Sequence, residues 1–303
     1  MGESAAQPAI AVIGHPIGGS PAQFCITRAL SDMHLDWQCL SFDVPPGSLP
    51  AALGGVDSLG FNGGLIAAPH ERSAAAILGV GSPIDGWSRD RDGRIVPHNF
   101  RDAAVGLLIA RHEAQIGRAI VGVERVGEPF PDSAGLGLIA TARSRDDFLR
   151  SEAPREPVIA ASQAAAAGKI DAAAAPPDDK KNSGTAAGAG DTPEGPRLIL
   201  RYANVATPNP KRVTPSRRRG DRETAPTAAS KKPPSWHPDS LIVDIAASPR
   251  DWSAPRAWPT RRPPVVHPID LEVARIGLAM LRWTGKEPRP ELLTEAIEEY
   301  LEL

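Results

Sequence analysis

The sequence predicts a two-domain α/β protein, and three observations support this fold class. Short apolar runs alternate with helical patterns through residue 80, as they do along a parallel or mixed sheet. The chain has 303 residues, which is enough for two domains of ordinary size. Its composition, with 41% hydrophobic and 23% charged residues, is typical of a soluble globular protein.

The first half of the chain predicts a regular succession of strands and helices. The apolar run of residues 9–14 ends at a glycine and predicts a buried strand. A helix is predicted over 20–35, with Ser20 as its N-cap and Pro21 as its first helical residue. The elements predicted after it are strands at 37–44, 61–67 and 91–99 and helices at 47–60, 70–79 and 100–115.

The second half predicts further strands and two closing helices. The strands are predicted at 118–123, 136–143, 197–208 and 240–246, and the helices at 270–283 and 290–303. Residues 151–195 are rich in Ala, Pro, Gly and Asp, and residues 209–239 are rich in Pro, Lys and Arg. Because neither segment has apolar periodicity, we expect both to be disordered insertions.

Composition and charge argue against several function classes. The formal net charge of −2 gives no global basic field for nucleic acid. No apolar run approaches the length of about 18 residues that spans a bilayer, and the first ten residues lack a signal-peptide pattern. We expect Cys25 and Cys39 to be buried thiols in a reducing compartment, which predicts a cytoplasmic protein. The seven histidines have no metal-ligand spacing, so no metal site is expected.

Several motifs occur in the order seen in one enzyme family. Residues 12–30 read "VIGHPIGGSPAQFCITRAL", residues 60–71 read "GFNGGLIAAPHE", and residues 92–102 read "DGRIVPHNFRD". Near the end of the chain comes "MLRWTGKEP". These stretches resemble the motifs V-I-G-x-P-I-x-H-S-x-S-P, G-F-x-G-x-N-V-T-x-P-x-K, D-G-x-x-x-G-x-N-T-D-G and F-x-x-W-T-G of the shikimate dehydrogenase family. The resemblance runs over residues 9–123 and 240–295.

The resemblance implies a fold and an activity. Shikimate dehydrogenases have an N-terminal α/β domain for shikimate and a Rossmann-type domain for NADP, with a cleft between them. They interconvert 3-dehydroshikimate and shikimate in aromatic amino acid biosynthesis. The resemblance therefore predicts a substrate domain over residues 1–105, a reduced Rossmann-like domain over 106–250, and C-terminal helices over 265–303 that pack back on the substrate domain.

The substrate-binding positions of the family are only partly retained. Ser20 matches the first hydroxyl of the S-x-S pair, and Asn99 matches the Asn of N-T-D, so these two are the predicted substrate-binding residues. At the other positions stand Ala22, Leu65, Ala67, Phe100 and Arg275, in place of Ser, Asn, Thr, Thr and Gln. Each ligand hydroxyl left without a partner costs about 1–3 kcal/mol, so most of the recognition of shikimate is expected to be lost.

The catalytic Lys–Asp pair of the family is also replaced. Glu71 stands at the position of the Lys, Arg101 at that of the Asp, and Asp102 lies one residue further on. A Glu reverses the charge where the carbonyl oxygen becomes negative in the transition state, although a carboxyl with a raised pKa can donate a proton. We interpret Glu71, Arg101 and Asp102 as the candidate catalytic residues, with Glu71 and Arg101 as a pair of exchanged polarity.

The cofactor motif departs from the family as well. After the predicted strand at 118–123, Gly122 and Gly127 lie five residues apart instead of forming the tight G-x-G-G turn that approaches a pyrophosphate. Glu124 and Glu128 place negative charge near the expected phosphates, so loss of NADP binding is predicted. Downstream, "ATARSRDD" resembles the stretch that reads the 2′-phosphate, with Arg143, Ser144 and Arg145 as the remnant.

Two functions remain open from the sequence. The first is a degenerate homologue that binds a small molecule or acts as a scaffold, and the second is an oxidoreductase with a site rebuilt from Glu71, Arg101 and Asp102. Structural roles compete with functional ones at two further residues. His15 is interpreted as a hydrogen-bonding loop residue and His70 as a packing or capping residue. The sequence does not name a protein partner.

Overall fold

The computed structural model describes residues 7–126, 195–202, 237–245 and 263–303, which form two sheets and six α-helices. The strands are β1 Ala9–Gly14, β2 Gln38–Asp43, β3 Gly63–Ile66, β4 Gly86–Arg89, β5 Ile95–His98, β6 Gly122–Val126, β7 Arg197–Tyr202, β8 Leu241–Ile245 and β9 Val265–Val266. The helices are α1 Ala22–Asp32, α2 Leu49–Ser58, α3 Glu71–Ile77, α4 Phe100–Ile116, α5 Pro268–Thr284 and α6 Pro290–Leu301.

The first sheet has the strand order β2-β1-β3-β4-β5. Strand β1 pairs in parallel with β2 on one side and β3 on the other, while β4 and β5 complete the sheet as antiparallel strands. Residues 10–14 of β1 are all buried, which explains their continuous apolar run, since a central parallel strand is covered on both faces. The chain passes from β1 to β2 and then crosses to β3, so the topological switch point lies between β1 and β3.

Helix α1 begins one residue later than the sequence predicts, at Ala22 instead of Pro21. Ser20 was expected to be the N-cap, but its N–H donates to the Ile17 carbonyl and closes a turn, so the N-cap residue is Pro21. The Ser20 hydroxyl still accepts from the Ala22 N–H at 3.4 Å. The prediction of Ser20 as N-cap is therefore wrong, although the Ser20 hydroxyl still accepts a hydrogen bond from the first helical N–H.

The second sheet has the order β6-β7-β8-β9, and all its described strand pairs are parallel. The sequence predicted its first strand at 118–123, whereas β6 is Gly122–Val126. Gly117 ends α4 in the left-handed conformation, and Glu113 Oε1 then accepts the Ile120 N–H at 2.8 Å. Residues 118–121 therefore form the connection between α4 and β6, and the apolar run there is not a strand.

The C-terminal helices pack on the first sheet and its helices, as predicted. Helix α5 packs on α4 and contacts β3 and β4, while α6 packs on α1. The indole Nε1 of Trp283 donates to the Trp87 carbonyl at 2.8 Å, and Arg289 bonds Asp32 at 2.5 Å. These contacts explain why the W-T-G stretch occurs at the end of α5, since Trp283 fixes that helix on the sheet.

Other sequence expectations lie wholly or mainly outside the described residues. They are the strand at 136–143 and, apart from Gly195 and residues 237–239, the two expected insertions at 151–195 and 209–239. The domain boundaries stay predictions. The sequence patterns did not predict β4 and β9, which are only four and two residues long. None of the described helices has the length and apolar character needed to cross a membrane.

Candidate functional site at the carboxyl edge of the first sheet

The candidate site lies outside the carboxyl ends of β1 and β3, the position at which open α/β sheets bind their ligands, and we call this position the crevice. The loop after β1 and the loop after β3 meet there, because the His15 N–H donates to the Ala68 carbonyl at 3.3 Å. The backbone N–H of Ala67 continues the ladder to Ile13 at 2.8 Å. The loops within the two motifs at residues 12–30 and 60–71 are therefore neighbours at the switch point.

The structure brings Glu71 and Arg101 together. Glu71 is the first residue of α3 and its side chain is only 2% exposed, whereas the Arg101 side chain, near the start of α4, is 22% exposed. Nη1 of Arg101 lies 3.7 Å from Oε1 of Glu71, which is an ion-pair distance but is long for a hydrogen bond. A carboxyl and a guanidinium thus face each other where the related motifs have a Lys and an Asp.

The carboxyl of Glu71 is incompletely compensated. Its Oε2 atom is buried and has no hydrogen-bond partner within the described part of the chain. Burial raises the pKa of Glu71 above its ordinary value, and the nearby Asp85 adds to that effect, while Arg101 and the backbone N–H of Glu71 oppose it. Glu71 therefore favours its protonated form more than an exposed glutamate does, and in that form it is a hydrogen-bond donor.

The variant Glu71→Gln should become more stable relative to the wild type as the pH rises. A carboxyl whose folded-state pKa lies above its unfolded-state value stabilises the fold fully only below the unfolded-state pKa. In the wild type this stabilisation disappears as the pH rises from about 4.5 through the folded-state pKa. The variant shows no such loss, because Gln does not titrate. Urea unfolding of both proteins between about pH 4.5 and pH 8 measures the difference. A difference that stays constant or moves toward the wild type would contradict the burial of Glu71.

Asn99 and Asp102 serve the start of α4. Asn99 is the N-cap, and its Oδ1 accepts the Asp102 N–H at 2.9 Å while its Nδ2 donates to the Pro83 carbonyl at 3.1 Å. Asp102 lies in the first helical turn, where a carboxylate is favoured by the helix dipole. The amide of Asn99 thus has structural partners for both of its polar groups, and a substrate role for Asn99 stays a prediction, as does that of Ser20.

A buried ion network that the sequence did not predict joins helix α5 to the start of helix α4. The guanidinium of Arg275 on α5 bonds Glu272 at 2.8 and 2.5 Å and lies 3.4 Å from Asp85. The carboxylate of Asp85, which is completely buried, accepts the backbone N–H groups of Phe100 at 2.5 Å and Arg101 at 3.0 Å. Asp85 therefore links α5 to the N-terminus of α4, the turn that carries Arg101.

The network explains what Arg275 does at the position of the family Gln. Burial alone lowers the pKa of Arg275, but Glu272 and Asp85 more than offset this effect, so the pKa rises and the group stays charged. Its donors are directed to two carboxylates of the protein instead of to a ligand. The i, i+3 spacing of Glu272 and Arg275 was a visible signal for half of the network, while Asp85 lies 190 residues away in sequence.

Other substitutions at family positions belong to the core. Phe100, at the position of a Thr, is completely buried, and its ring centroid lies 5.1 Å from that of His98 and 5.9 Å from that of Trp283. Leu65, at the position of an Asn, is 1% exposed. Burial, and to a smaller extent Arg282, lower the pKa of His98 to about 3, so its imidazole is neutral at physiological pH. Apolar packing therefore replaces polar groups beside the crevice.

The structure corrects part of the argument about the cofactor. Gly122 and Glu124 were expected in a phosphate-facing loop, but both lie within strand β6. Glu124 is therefore not a residue of a phosphate loop, since that loop would begin only after Val126. The residues that follow, with Arg143, Ser144 and Arg145 among them, lie outside the described part of the chain.

The two cysteines are core residues and are not part of the candidate site. Cys25 on α1 and Cys39 on β2 are both free and buried, as the sequence indicated. Burial raises the pKa of each thiol to about 12. Both are therefore protonated, unreactive core groups.

Parts of the sequence match curated enzymes that have the same name. No protein-family model matches the chain. The shikimate dehydrogenase (NADP(+)) of Moorella thermoacetica is 33% identical over 75 residues, or 25% of this chain and 25% of that enzyme. The enzyme of the same name from Symbiobacterium thermophilum is 27% identical over 165 residues, or 48% of this chain and 55% of that enzyme. The chain thus matches about half or less of the length of these curated relatives.

Solved structures match almost the whole chain. The shikimate 5-dehydrogenase of Thermus thermophilus, solved with NADP(H) and shikimate, has a TM-score of 0.52 at 16% identity and covers 97% of this chain and 100% of its own. The 5-ketofructose reductase of Gluconobacter sp. strain CHM43 has a TM-score of 0.54 at 13% identity, with 98% and 99% covered. The protein therefore has the shikimate dehydrogenase fold, with partial sequence similarity to shikimate dehydrogenases, as its motifs predict.

Proposed function

We propose that this protein is a catalytically degenerate relative of the shikimate dehydrogenases that binds a small polar molecule in the crevice between β1 and β3. One observation carries the proposal. Glu71 and Arg101 face each other at 3.7 Å where the family uses a Lys and an Asp. The fold and the crevice are kept, while the charges of the catalytic pair are exchanged.

The exchange removes what the family reaction needs from its side chains. Reduction of a ketone places negative charge on the carbonyl oxygen, which a cationic donor at the Lys position stabilises. Protonated Glu71 can donate a proton but brings no positive charge. Arg101 cannot accept a proton from a substrate hydroxyl, because a guanidinium does not deprotonate in proteins. The pair therefore offers no cation to the carbonyl oxygen at the Lys position and no base at the Asp position, and losing such groups typically costs about 10²–10⁴-fold in rate.

We also propose that NADP binding is lost. Strand β6 ends at Val126, and the next residues are Gly127, Glu128 and Pro129. One glycine followed by a carboxylate and a proline does not supply the row of backbone N–H groups that a pyrophosphate requires. These residues do not fit the pyrophosphate of a dinucleotide.

The second candidate function is an oxidoreductase with a rebuilt site. The observation in its favour is the buried carboxyl of Glu71, which faces Arg101 on α4, since a carboxyl with a raised pKa is a competent general acid. The fold does not fix the substrate, as a 5-ketofructose reductase has the same fold.

A small-molecule ligand is the partner that we propose. The formal net charge of −2 gives no support to a nucleic-acid partner. The two free, buried thiols of Cys25 and Cys39 support a reducing location, for which we propose the cytoplasm.

The purified protein is expected to show no NADPH formation from shikimate above background and no calorimetric binding of NADP at micromolar levels. Absorbance of NADPH with enzyme in excess measures turnover, and titration calorimetry measures binding. Turnover that disappears in Glu71→Ala and Asp102→Ala but survives in Arg72→Ala, an exposed neighbour, would establish the oxidoreductase instead. Chemical-shift changes of the backbone amides of Ala67, Ala68, His70, Glu71 and Arg101 on addition of shikimate or quinate are the expected sign of ligand binding in the crevice.

A further inference from the structure

A histidine at the crevice is oriented by a carboxylate of the neighbouring strand. His15 follows β1 directly, and Asp43 is the last residue of β2. The Nδ1 atom of His15 lies 3.0 Å from Oδ1 of Asp43, and the same oxygen accepts the Ile17 N–H at 3.2 Å. The backbone N–H of His15 donates to Ala68 in the loop after β3. The pair therefore lies at the carboxyl edge of the sheet, where the two crevice loops meet.

The bond to Asp43 sets the chemistry of the ring. An ionised carboxylate only accepts hydrogen bonds, so Nδ1 carries the proton and Nε2 has the lone pair in the neutral imidazole. The side chain of His15 is 39% exposed, which leaves the ring accessible. Gly18 and Gly19 in the same loop are exposed and carry no side chains that could cover the ring. A ring nitrogen whose orientation is fixed by a carboxylate and which stays exposed is able to accept a hydrogen bond from a ligand.

We propose that His15 binds a hydroxyl group of the ligand through Nε2 and so forms a second contact point of the crevice, apart from Glu71 and Arg101. The inference rests on the proposed function, because it places the ligand in the same crevice. The negative charge of Asp43, whose side chain is 54% exposed, disfavours an anionic group at this point. The ligand class is therefore a small molecule that presents an uncharged hydroxyl to His15.

The role of His15 is separable from loop structure. The bonds from Ile17 N–H to Asp43 and from His15 N–H to Ala68 involve the backbone, so both remain available in His15→Ala. The melting temperature of that variant should therefore stay close to that of the wild type. His34, an exposed histidine before β2 at the opposite edge of the sheet, supplies the control His34→Asn, since Asn tolerates its φ of 53°.

The test follows the histidine ring signals by long-range ¹H–¹⁵N correlation NMR. His15 should show the Nδ1–H tautomer at mildly alkaline pH, and adding shikimate or quinate at millimolar concentration should shift its Nε2 signal while His34 stays unchanged. His15→Ala should weaken binding by about 3- to 10-fold, the effect of one ordinary hydrogen bond, and His34→Asn should not.

Three outcomes overturn the inference, and they differ from a failure of the proposed function. An Nε2–H tautomer removes the His15 contact and leaves the crevice as a binding site. Shifts of the amides of Ala67, Ala68, His70, Glu71 and Arg101 without any change at His15 have the same meaning. Unchanged affinity in a folded His15→Ala has the same meaning. Absence of any shift with either probe overturns the proposed function, and the inference with it.

Discussion

Arg275→Met is expected to lower the free energy of unfolding by about 3–5 kcal/mol, because it leaves two buried carboxylates without their cation. The guanidinium bonds Glu272 at 2.8 and 2.5 Å and lies 3.4 Å from Asp85. Met fills a similar volume, so the loss is electrostatic and not mainly a packing defect. Urea unfolding at neutral pH measures the change.

Two further variants separate this explanation from a simple loss of contact. Arg289→Met removes a cation that also bonds a carboxylate, Asp32, but that guanidinium is exposed, so its effect should be much smaller. The double variant Arg275→Met/Glu272→Met should be more stable than Arg275→Met alone, since one of the stranded charges is gone. If the double variant is instead less stable by the sum of two independent losses, stranded charge is not the cause.

The N-terminal elements could be predicted because their signals are local. The apolar run of β1 ending at Gly14 reflects a central strand covered on both faces, and Asn99 before Phe100 reflects a capped helix start. The positions of Glu71 and Arg101 followed from motif order, and their pairing from the resemblance to the family's Lys–Asp pair.

The rest of the site depends on contacts that no local pattern reveals. Asp85 meets Arg275 across 190 residues of sequence, so neither residue alone indicates a buried network. The strand β6 was misplaced because the apolar residues before it resemble a strand, whereas Glu113 and Gly117 turn them into a connection. The pairing of His15 with Asp43 likewise requires the register between β1 and β2, in which Gly14 lies opposite Asp43.

These long-range contacts also explain how the region around Glu71 and Arg101 stays folded without a Lys–Asp pair. The Asp85–Arg275 pair and the Asn99 cap fix the start of α4 from two sides, independently of any ligand. Arg101 is thereby held near Glu71 whether or not a reaction takes place. The fold of this region therefore does not depend on the family's catalytic residues, which is compatible with the degenerate function that we propose.

Gly64→Ala should be the most damaging Gly→Ala substitution in the first sheet. The added methyl group is expected to lower the free energy of unfolding by about 3 kcal/mol or more and to leave little soluble protein. A Cβ at Gly64 would lie 2.1 Å from Cη2 of Trp87 and 2.5 Å from the carbonyl oxygen of Ala11. Neither neighbour can move cheaply, because Trp87 is 1% exposed and Ala11 is backbone of the central strand β1. The gain of about 0.4–1 kcal/mol from a less flexible unfolded chain is too small to offset this overlap.

Gly18→Ala is the matched control, since a Cβ there meets no atom within 4 Å and the residue has no positive φ. It should leave the melting temperature unchanged or slightly raised. Gly64→Ala/Trp87→Leu removes the overlap with the indole but keeps that with the Ala11 carbonyl, so it should recover part of the soluble yield relative to Gly64→Ala. Equal melting temperatures for Gly64→Ala and Gly18→Ala would mean that Trp87 does not cover Gly64. The close packing of β3 against the indole, which needs a residue without a side chain, would then be wrong.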